Sequence, residues 1–301
     1  MSSPHRVVAI DLGKSRCRFV VDGVADGARF DGVGAPGLAA TEGVAAALAA
    51  IRPLLDRIDG EVALLGVGAA GAWAAPSAAQ ELAAALAAST GARVAVASDV
   101  VTAHAGALGG GEGVLLIAGT GAAALGIDTD GARLVDGWGP ELGDFGSGSW
   151  LGREALRAVL RQSAGLSPAT VLTDAVADHI GAASSIPAWL SQPEPLARRL
   201  ATLAPSVLDA AAGGDRIADE IAAEAVRLLT ASAVAASSRT LDVTLHGGLT
   251  DHHWFRAALV AALQRGGRRT VPAAGDALEG AALLARRTDL PHERFVHRAE
   301  C

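Results

Sequence analysis

Residues 113–152, GVLLIAGTGAAALGIDTDGARLVDGWGPELGDFGSGSWLG, limit what this chain can fold into more than any other stretch. An apolar run from Val114 to Ile117 reaches a glycine-bounded turn, Gly119-Thr120-Gly121. A second apolar run then crosses a hairpin at Asp128 to Gly131. A loop from Asp136 to Gly148 follows, with a tryptophan, repeated glycines and the acids Glu141 and Asp144, and it opens into a helical pattern. A buried strand ending in Gly-Thr-Gly brings bare backbone N–H groups close to whatever lies beyond it, and phosphate is a common occupant. A hairpin that simply needs a tight turn explains the same residues.

The first third of the chain reads β-β-β-α-β-α-β-α. Its strands fall at 7–11, 17–21, 28–33, 62–67 and 93–97. Helices are expected from a Thr41 cap to about Arg57, from Pro76 to Ser89, and from Val100 to about Leu108. The order then restarts, with strands at 114–118, 122–127 and 133–136 and a helix from Ser147 to Arg161. A proline-punctuated helical segment at 166–212 precedes a long amphipathic helix at 217–238. A strand at 241–245 ends in His246-Gly247-Gly248, and helix, short strand and helix close the pattern. Glycine plus lysine or hydroxyl follows the first strand of both halves, at Gly13-Lys14-Ser15 and at Gly119-Thr120-Gly121. Such repetition predicts a duplicated domain. The division is expected at 1–112 and 113–275, with the final helix of 276–301 packing back on the first part. The polar residues 288–301 read as a surface-bound or frayed tail.

Half of the 301 residues are apolar and 19% are charged, which suits a packed protein and not a disordered one. A net charge of −7 without a basic stripe argues against nucleic acid, and the absence of tyrosine argues against a base-stacking surface. The uncharged run 62–80 is broken by Gly66, Gly68, Gly71 and Pro76, so it reads as strand, turn and helix start and not as a membrane span. Cys17 and Cys301 make no metal-ligand spacing, and a reducing cytoplasm is the expected location.

Several residues could carry chemistry. Asp11 ends a buried strand, where a carboxylate needs a partner; a hydrated Mg²⁺ held through water would serve, and a plain turn aspartate is the alternative. Lys14, Ser15 and Arg16 could reach phosphate oxygens, although Arg16 also reads as a solvated strand residue. Asp99 sits at the carboxyl end of a strand, where ligands gather in open sheets, and could take a proton from an attacking hydroxyl; an N-cap is the competing role. Asp144 could accept sugar hydroxyls, and Trp138 could lie on an apolar sugar face or in the core. Gly247 and Gly248 could approach adenine or ribose, or simply turn the chain. His246, His252 and His253 lack the spacing of a metal site.

Taken together these motifs resemble the sugar kinase, Hsp70 and actin ATPase superfamily. Within it they resemble the BadF/BadG-type group that includes N-acetylglucosamine kinase and actinobacterial glucosamine kinases. The carriers are Asp11-Leu12-Gly13-Lys14-Ser15-Arg16, Asp99, Gly119-Thr120-Gly121, Gly137-Trp138-Gly139 with Gly143-Asp144-Phe145-Gly146-Ser147, and Gly247-Gly248. The resemblance implies an α/β, two-lobed actin-like ATPase fold with duplicated β-β-β-α-β-α domains around an inter-lobe cleft. It implies ATP and Mg²⁺ as cofactors, with phosphates on Gly13, Lys14, Ser15, Arg16, Gly119, Thr120 and Gly121 and the adenosine on Gly247 and Gly248. It implies Asp99 as catalytic base and an amino sugar on Gly137, Trp138, Gly139 and Asp144. Asp136 and Glu141 flank that signature and could face a cationic amine, or could equally be solvated loop acids; the first option favours glucosamine over N-acetylglucosamine as the sugar phosphorylated at its 6-hydroxyl. A non-kinase ATPase or a sugar sensor on the same fold is the other class. No membrane or nucleic-acid partner is implied, and a homodimer is expected from the resemblance alone. Phe145 departs from the pattern by replacing an acid beside the sugar, and Leu12-Gly13-Lys14-Ser15 replaces a more glycine-rich loop.

Overall fold

A computed structural model describes residues 6–22 and 28–301 of the chain. The chain divides into two compact units, one formed by Met1–Glu112 with Pro272–Cys301 and the other by Gly113–Val271. In the first unit, β1 (Arg6–Leu12), β2 (Arg16–Asp22) and β3 (Ala28–Val33) form an antiparallel meander. α1 (Gly43–Leu55), β4 (Val62–Ala69), α2 (Pro76–Thr90), β5 (Arg93–Ser98) and α3 (Asp99–Ala107) follow. In the second unit the meander recurs as β6 (Gly113–Ala118), β7 (Ala122–Asp128) and β8 (Gly131–Asp136). Then come α4 (Gly148–Ser163), the short helices α5 (Leu172–Ile180), α6 (Ile186–Leu190), α7 (Leu196–Ala201) and α8 (Ala204–Ala212), and the long α9 (Arg216–Ala236). β9 (Asp242–His246), α10 (His253–Arg265) and β10 (Arg269–Val271) complete it. The chain returns to the first unit with α11 (Ala277–Arg286) and β11 (His297–Ala299).

The duplication is visible in the strand order. One sheet runs β11-β5-β4-β1-β2-β3 and the other β10-β9-β6-β7-β8. In each, the first strand pairs antiparallel with the second and parallel with the fourth, and the fourth pairs parallel with the fifth. β1, β4, β5 and β6 are apolar along nearly their whole length because both faces of their sheets are covered. One core gathers Ile10, Phe19, Leu65 and Leu82, and the other Leu116, Leu151, Leu229 and Phe255. In the first unit α11 lies on α3 so closely that a Cβ at Gly280 would stand 1.8 Å from the Thr102 carbonyl oxygen. The matching Cβ at Gly106 would stand 1.8 Å from the Asp276 carbonyl, so only glycine permits this crossing.

Two sequence expectations are corrected here. Thr41 does not cap α1: the N-cap is Glu42, at φ 57° and without a side-chain bond, and the helix closes at Leu55. Residues 288–301 are not frayed. His297–Ala299 forms an edge strand antiparallel to β5, Phe295 stacks on Trp73 at 5.3 Å, and His292 is fully buried. Cys17 and Cys301 are both free. Among the described residues no helix is long and apolar enough to cross a membrane.

His292 Nε2 meets Nδ1 of the equally buried His104 at 2.8 Å, which ties the C-terminal segment to α3. Burial first, and His104 second, push the His292 imidazole down to about 3. An unfolded histidine titrates near pH 6.5. Between those two values the unfolded chain binds a proton that the folded chain refuses, so stability falls as pH drops through this window. The expected slope from this one group is about 1.4 kcal/mol per pH unit. Melting temperatures from pH 7.5 to 5 should decline in the wild type and decline less in His292→Gln, which keeps a polar partner for His104 and cannot titrate. Equal slopes would remove the pair as the acid-sensitive element.

Candidate active site

In the first unit the register sets the carboxyl ends of three strands side by side. Leu12 pairs with Ala69, and Ala69 with Ser98. The chain leaves β1 into the three-residue turn Gly13-Lys14-Ser15, closed by Gly13 N–H on the Arg16 carbonyl at 2.9 Å. It leaves β5 directly into α3, whose first residue is Asp99. Lys14 and Ser15 are exposed on the turn.

The Asp99 carboxylate accepts the Ser98 hydroxyl and the Val100 N–H, both at 2.9 Å and both on Oδ1. Desolvation raises its pKa above the ordinary aspartate value; the Ser98 and Val100 hydrogen bonds pull it back, Asp11 raises it again and Lys14 lowers it. A carboxyl held above its usual range while ionised is a better proton acceptor than a solvated one. The N-cap position belongs to Ser98, whose side chain makes no capping bond, so Asp99 is an acid in the first helical turn, where the helix dipole favours negative charge. Ser98 is a residue the sequence reading passed over. Its place immediately before an acid at a strand end was the available signal.

Asp11 has a protein partner. Arg18, directly opposite it across the β1–β2 pair, places Nη2 2.6 Å and Nε 2.9 Å from Oδ2. The compensation assigned to a metal is therefore supplied by a guanidinium, and only Oδ1 is left without a protein donor among the described residues. No group of three or more His, Cys, Asp or Glu that could hold a metal exists among the described residues. Mg²⁺ is commonly held by one or two carboxylates together with nucleotide phosphates, so Asp11 Oδ1 fits as a single ligand, direct or through water. Arg16 is also committed: it pairs with Asp31 at 2.8 Å, and both side chains are exposed. That arrangement matches its solvated-strand reading and leaves Lys14 as the cation on the turn.

In the second unit three motifs meet. The Gly119–Gly121 turn closes with Gly119 N–H on the Gly121 carbonyl at 3.0 Å. The start of α4 donates into this turn, Gly148 N–H to the Gly119 carbonyl at 2.8 Å and Ser149 N–H to the Thr120 carbonyl at 3.1 Å. Ser147 caps α4 by accepting the Trp150 N–H. Gly247, at φ 105°, lies against the end of β6, where a Cβ would stand 2.6 Å from the Ala118 carbonyl oxygen. A side chain there is excluded both by conformation and by space. Gly248 faces open space.

The loop between β8 and α4 is organised by Asp136. Its φ is 65°, it is buried, and its two carboxylate oxygens accept the N–H groups of Asp144 (2.8 Å) and Phe145 (2.7 Å). Asp136 thus holds the loop together, which corrects its reading as an acid facing a substrate amine. Glu141 is exposed, with Oε2 beside Gly139. Asp144, at φ 55°, is buried and accepts the Ala122 N–H at 3.3 Å, with its carboxylate against Gly121. Trp138 is 67% exposed, which excludes the core alternative, and meets Phe145 edge-to-face at 6.3 Å. Gly137 and Gly139, at φ 82° and 87°, carry Trp138 out of the loop. The arrangement offers bare backbone, a buried carboxylate and an exposed aromatic face in one place.

A family model for BadF/BadG/BcrA/BcrD ATPases matches residues 8–285, spanning every motif just described. The chain belongs to this ATPase family. Among curated proteins, an N-acetyl-D-glucosamine kinase of Dictyostelium discoideum is 33% identical over 121 residues. That match spans 39% of this chain and 38% of that relative's length. A solved structure from Chromobacterium violaceum, provisionally designated an N-acetylglucosamine kinase, is 27% identical with a TM-score of 0.77, covering 94% of this chain and all of that one. A ROK family glucokinase from Streptomyces griseus shares the fold at a TM-score of 0.53 and 19% identity, over 93% of this chain and 99% of its own. The actin-like sugar kinase fold is therefore the fold of this family member.

Proposed function

We propose that the chain is an ATP-dependent kinase of an amino sugar, transferring the γ-phosphate to the 6-hydroxyl. The observation that carries this reading is the hydrogen-bonded junction in the second unit. There the Gly119–Gly121 turn, the start of α4 and the Asp144 loop are built as one piece. A turn shaped for phosphate and a loop shaped for sugar are thereby fixed relative to each other, and positioning is the main source of catalysis in phosphoryl transfer. Asp99 takes the proton of the attacking hydroxyl. Backbone N–H groups and Lys14 contact phosphate oxygens. Mg²⁺, when held through Asp11, would neutralise charge on those oxygens. Trp138 lies under the apolar face of the sugar and Asp144 accepts its hydroxyls.

N-acetylglucosamine is the substrate we place first. Asp136 is occupied by two backbone N–H groups, so the charge argument for a cationic amine loses one of its two acids. The names of the relatives point the same way. Glucosamine stays as a second reading because Glu141 is exposed beside Gly139. The test is ADP release with ATP and Mg²⁺ against N-acetylglucosamine, glucosamine, glucose, N-acetylmannosamine and no sugar. Turnover highest with N-acetylglucosamine is the expected result. Turnover with glucosamine alone would reverse the substrate order, and equal ADP release in every well, the blank included, would end the sugar-kinase reading.

A further inference from the structure

We propose that Ser98 is a positioning residue for the transfer: its hydroxyl holds Oδ1 of Asp99, so that Oδ2 is the oxygen that takes the proton of the attacking hydroxyl. The proposal rests on the reading of Asp99 as the base. Ser98 is the N-cap of α3, with extended backbone at φ −66° and ψ 148°. A serine there ordinarily accepts an N–H from the first turn of its helix. Ser147 does so at the start of α4, where its Oγ accepts the Trp150 N–H at 3.1 Å. Ser98 makes no such bond. Its Oγ donates instead to Oδ1 of the next residue, Asp99, at 2.9 Å. Asp215 and Asp276 cap α9 and α11 with their own carboxylates, so an acid at a helix start in this chain does not otherwise come with a serine attached to it.

Both donors to Asp99 fall on one oxygen. The Val100 N–H also reaches Oδ1 at 2.9 Å, and Oδ2 has no protein donor among the described residues. Two hydrogen bonds fix the plane of the carboxylate and make Oδ1 the less basic oxygen, which leaves Oδ2 to receive a proton. The Val100 bond comes from the backbone and would be present for any acid at this position. Among the described residues Ser98 is the one side chain hydrogen-bonded to Asp99. Ser98 is buried, so water competes poorly for its hydroxyl. The charges that act on Asp99 are Asp11 at the end of β1 and Lys14 on the turn after it. Arg294 and His297 line, together with Ser98, Trp73 and Phe295, a cavity of about 280 Å³. These groups set the field around the base, and Ser98 sets its orientation.

The test is steady-state kinetics of Ser98→Ala and Ser98→Thr beside the wild type, over a pH series, with ATP, Mg²⁺ and the sugar that gives the highest turnover. In Ser98→Ala, kcat near neutral pH should fall about tenfold while KM for ATP and for the sugar stays within about twofold. The acid limb of kcat/KM should stand about one pH unit higher, because a hydrogen bond that favours the ionised carboxylate is gone. The melting temperature should stay within a few degrees of the wild type, since no capping bond is removed. Ser98→Thr keeps the hydroxyl, has the cavity beside it for the extra methyl, and should restore both kcat and the limb. Equal losses in the alanine and threonine variants, or a rise in both KM values with the limb unmoved, would mark a purely structural serine and overturn the proposal. Sugar-dependent turnover that Ser98→Ala leaves unchanged, limb included, would overturn the proposal alone. ADP release by the wild type that does not depend on sugar would end the kinase reading and the proposal with it.

Discussion

Asp99→Asn is expected to lose turnover by a factor on the order of 10² to 10⁴ while the affinity for ATP stays unchanged. The factor is the usual contribution of a positioned general base. Asparagine keeps the shape of the side chain and an acceptor for the Ser98 hydroxyl and the Val100 N–H, so the start of α3 is preserved. The substitution should also remove a feature of the pH profile. Desolvation raises the Asp99 pKa above its ordinary value, so the acid limb of kcat/KM should lie above the range of a solvated aspartate. A group raised in the folded state costs stability once pH exceeds its folded pKa, because ionising it is harder there than in the unfolded chain. The variant should therefore melt no lower than the wild type near neutral pH, trading activity for stability. Calorimetric melting, ATP titration and a pH series on one preparation check all three expectations. A variant with near-normal turnover would remove Asp99 from the role of base.

Asp136→Ala is expected to combine a large loss of stability with a selective loss of sugar affinity. The carboxylate is the buried acceptor for two N–H groups, and each donor left unpaired costs about 1–3 kcal/mol. Two of them, in a loop whose residues 136 and 144 both hold positive φ, amount to about 2–6 kcal/mol. KM for the sugar should rise about tenfold or more, as expected when a positioning loop relaxes. KM for ATP should move less, because the Gly119–Gly121 turn is held by the start of α4 and not by Asp136. Asp136→Asn should fall between, since one carbonyl oxygen still accepts. If Asp136 read a substrate amine directly, the alanine variant would melt normally and lose only its discrimination between charged and neutral sugars. Thermal melts beside the two KM values separate these outcomes.

These two residues show where sequence reasoning stopped. The strands, the helix order and the three glycine turns were legible because hydrophobic period and glycine placement are local properties. Asp99 was legible as an acid at a strand end, though which neighbours tune it was not. The role of Asp136 depends on a loop conformation in which residues 136, 144 and 145 meet, and nothing in linear spacing dictates that. Arg18 was within reach. A hairpin turning at 13–15 pairs Leu12 with Cys17 and therefore Asp11 with Arg18, so the register alone names the partner. For residues 288–301 the frayed alternative failed for the opposite reason. Their composition is polar, and their order comes from partners almost two hundred residues away, such as His104.

The return of α11 to the first unit also sets the sequence of events during synthesis. Residues 113–271 are continuous and can collapse onto their own core while the rest of the chain is still being made. The first unit has no such freedom. Ala281 and Ala282 belong to the cluster that covers Val7 and Ala9, so a face of β1 stays bare until those residues, far along the chain, emerge. The strands made before residue 113 are completed only after residues 113–271 have been made, and in that interval their apolar faces are what a chaperone would meet.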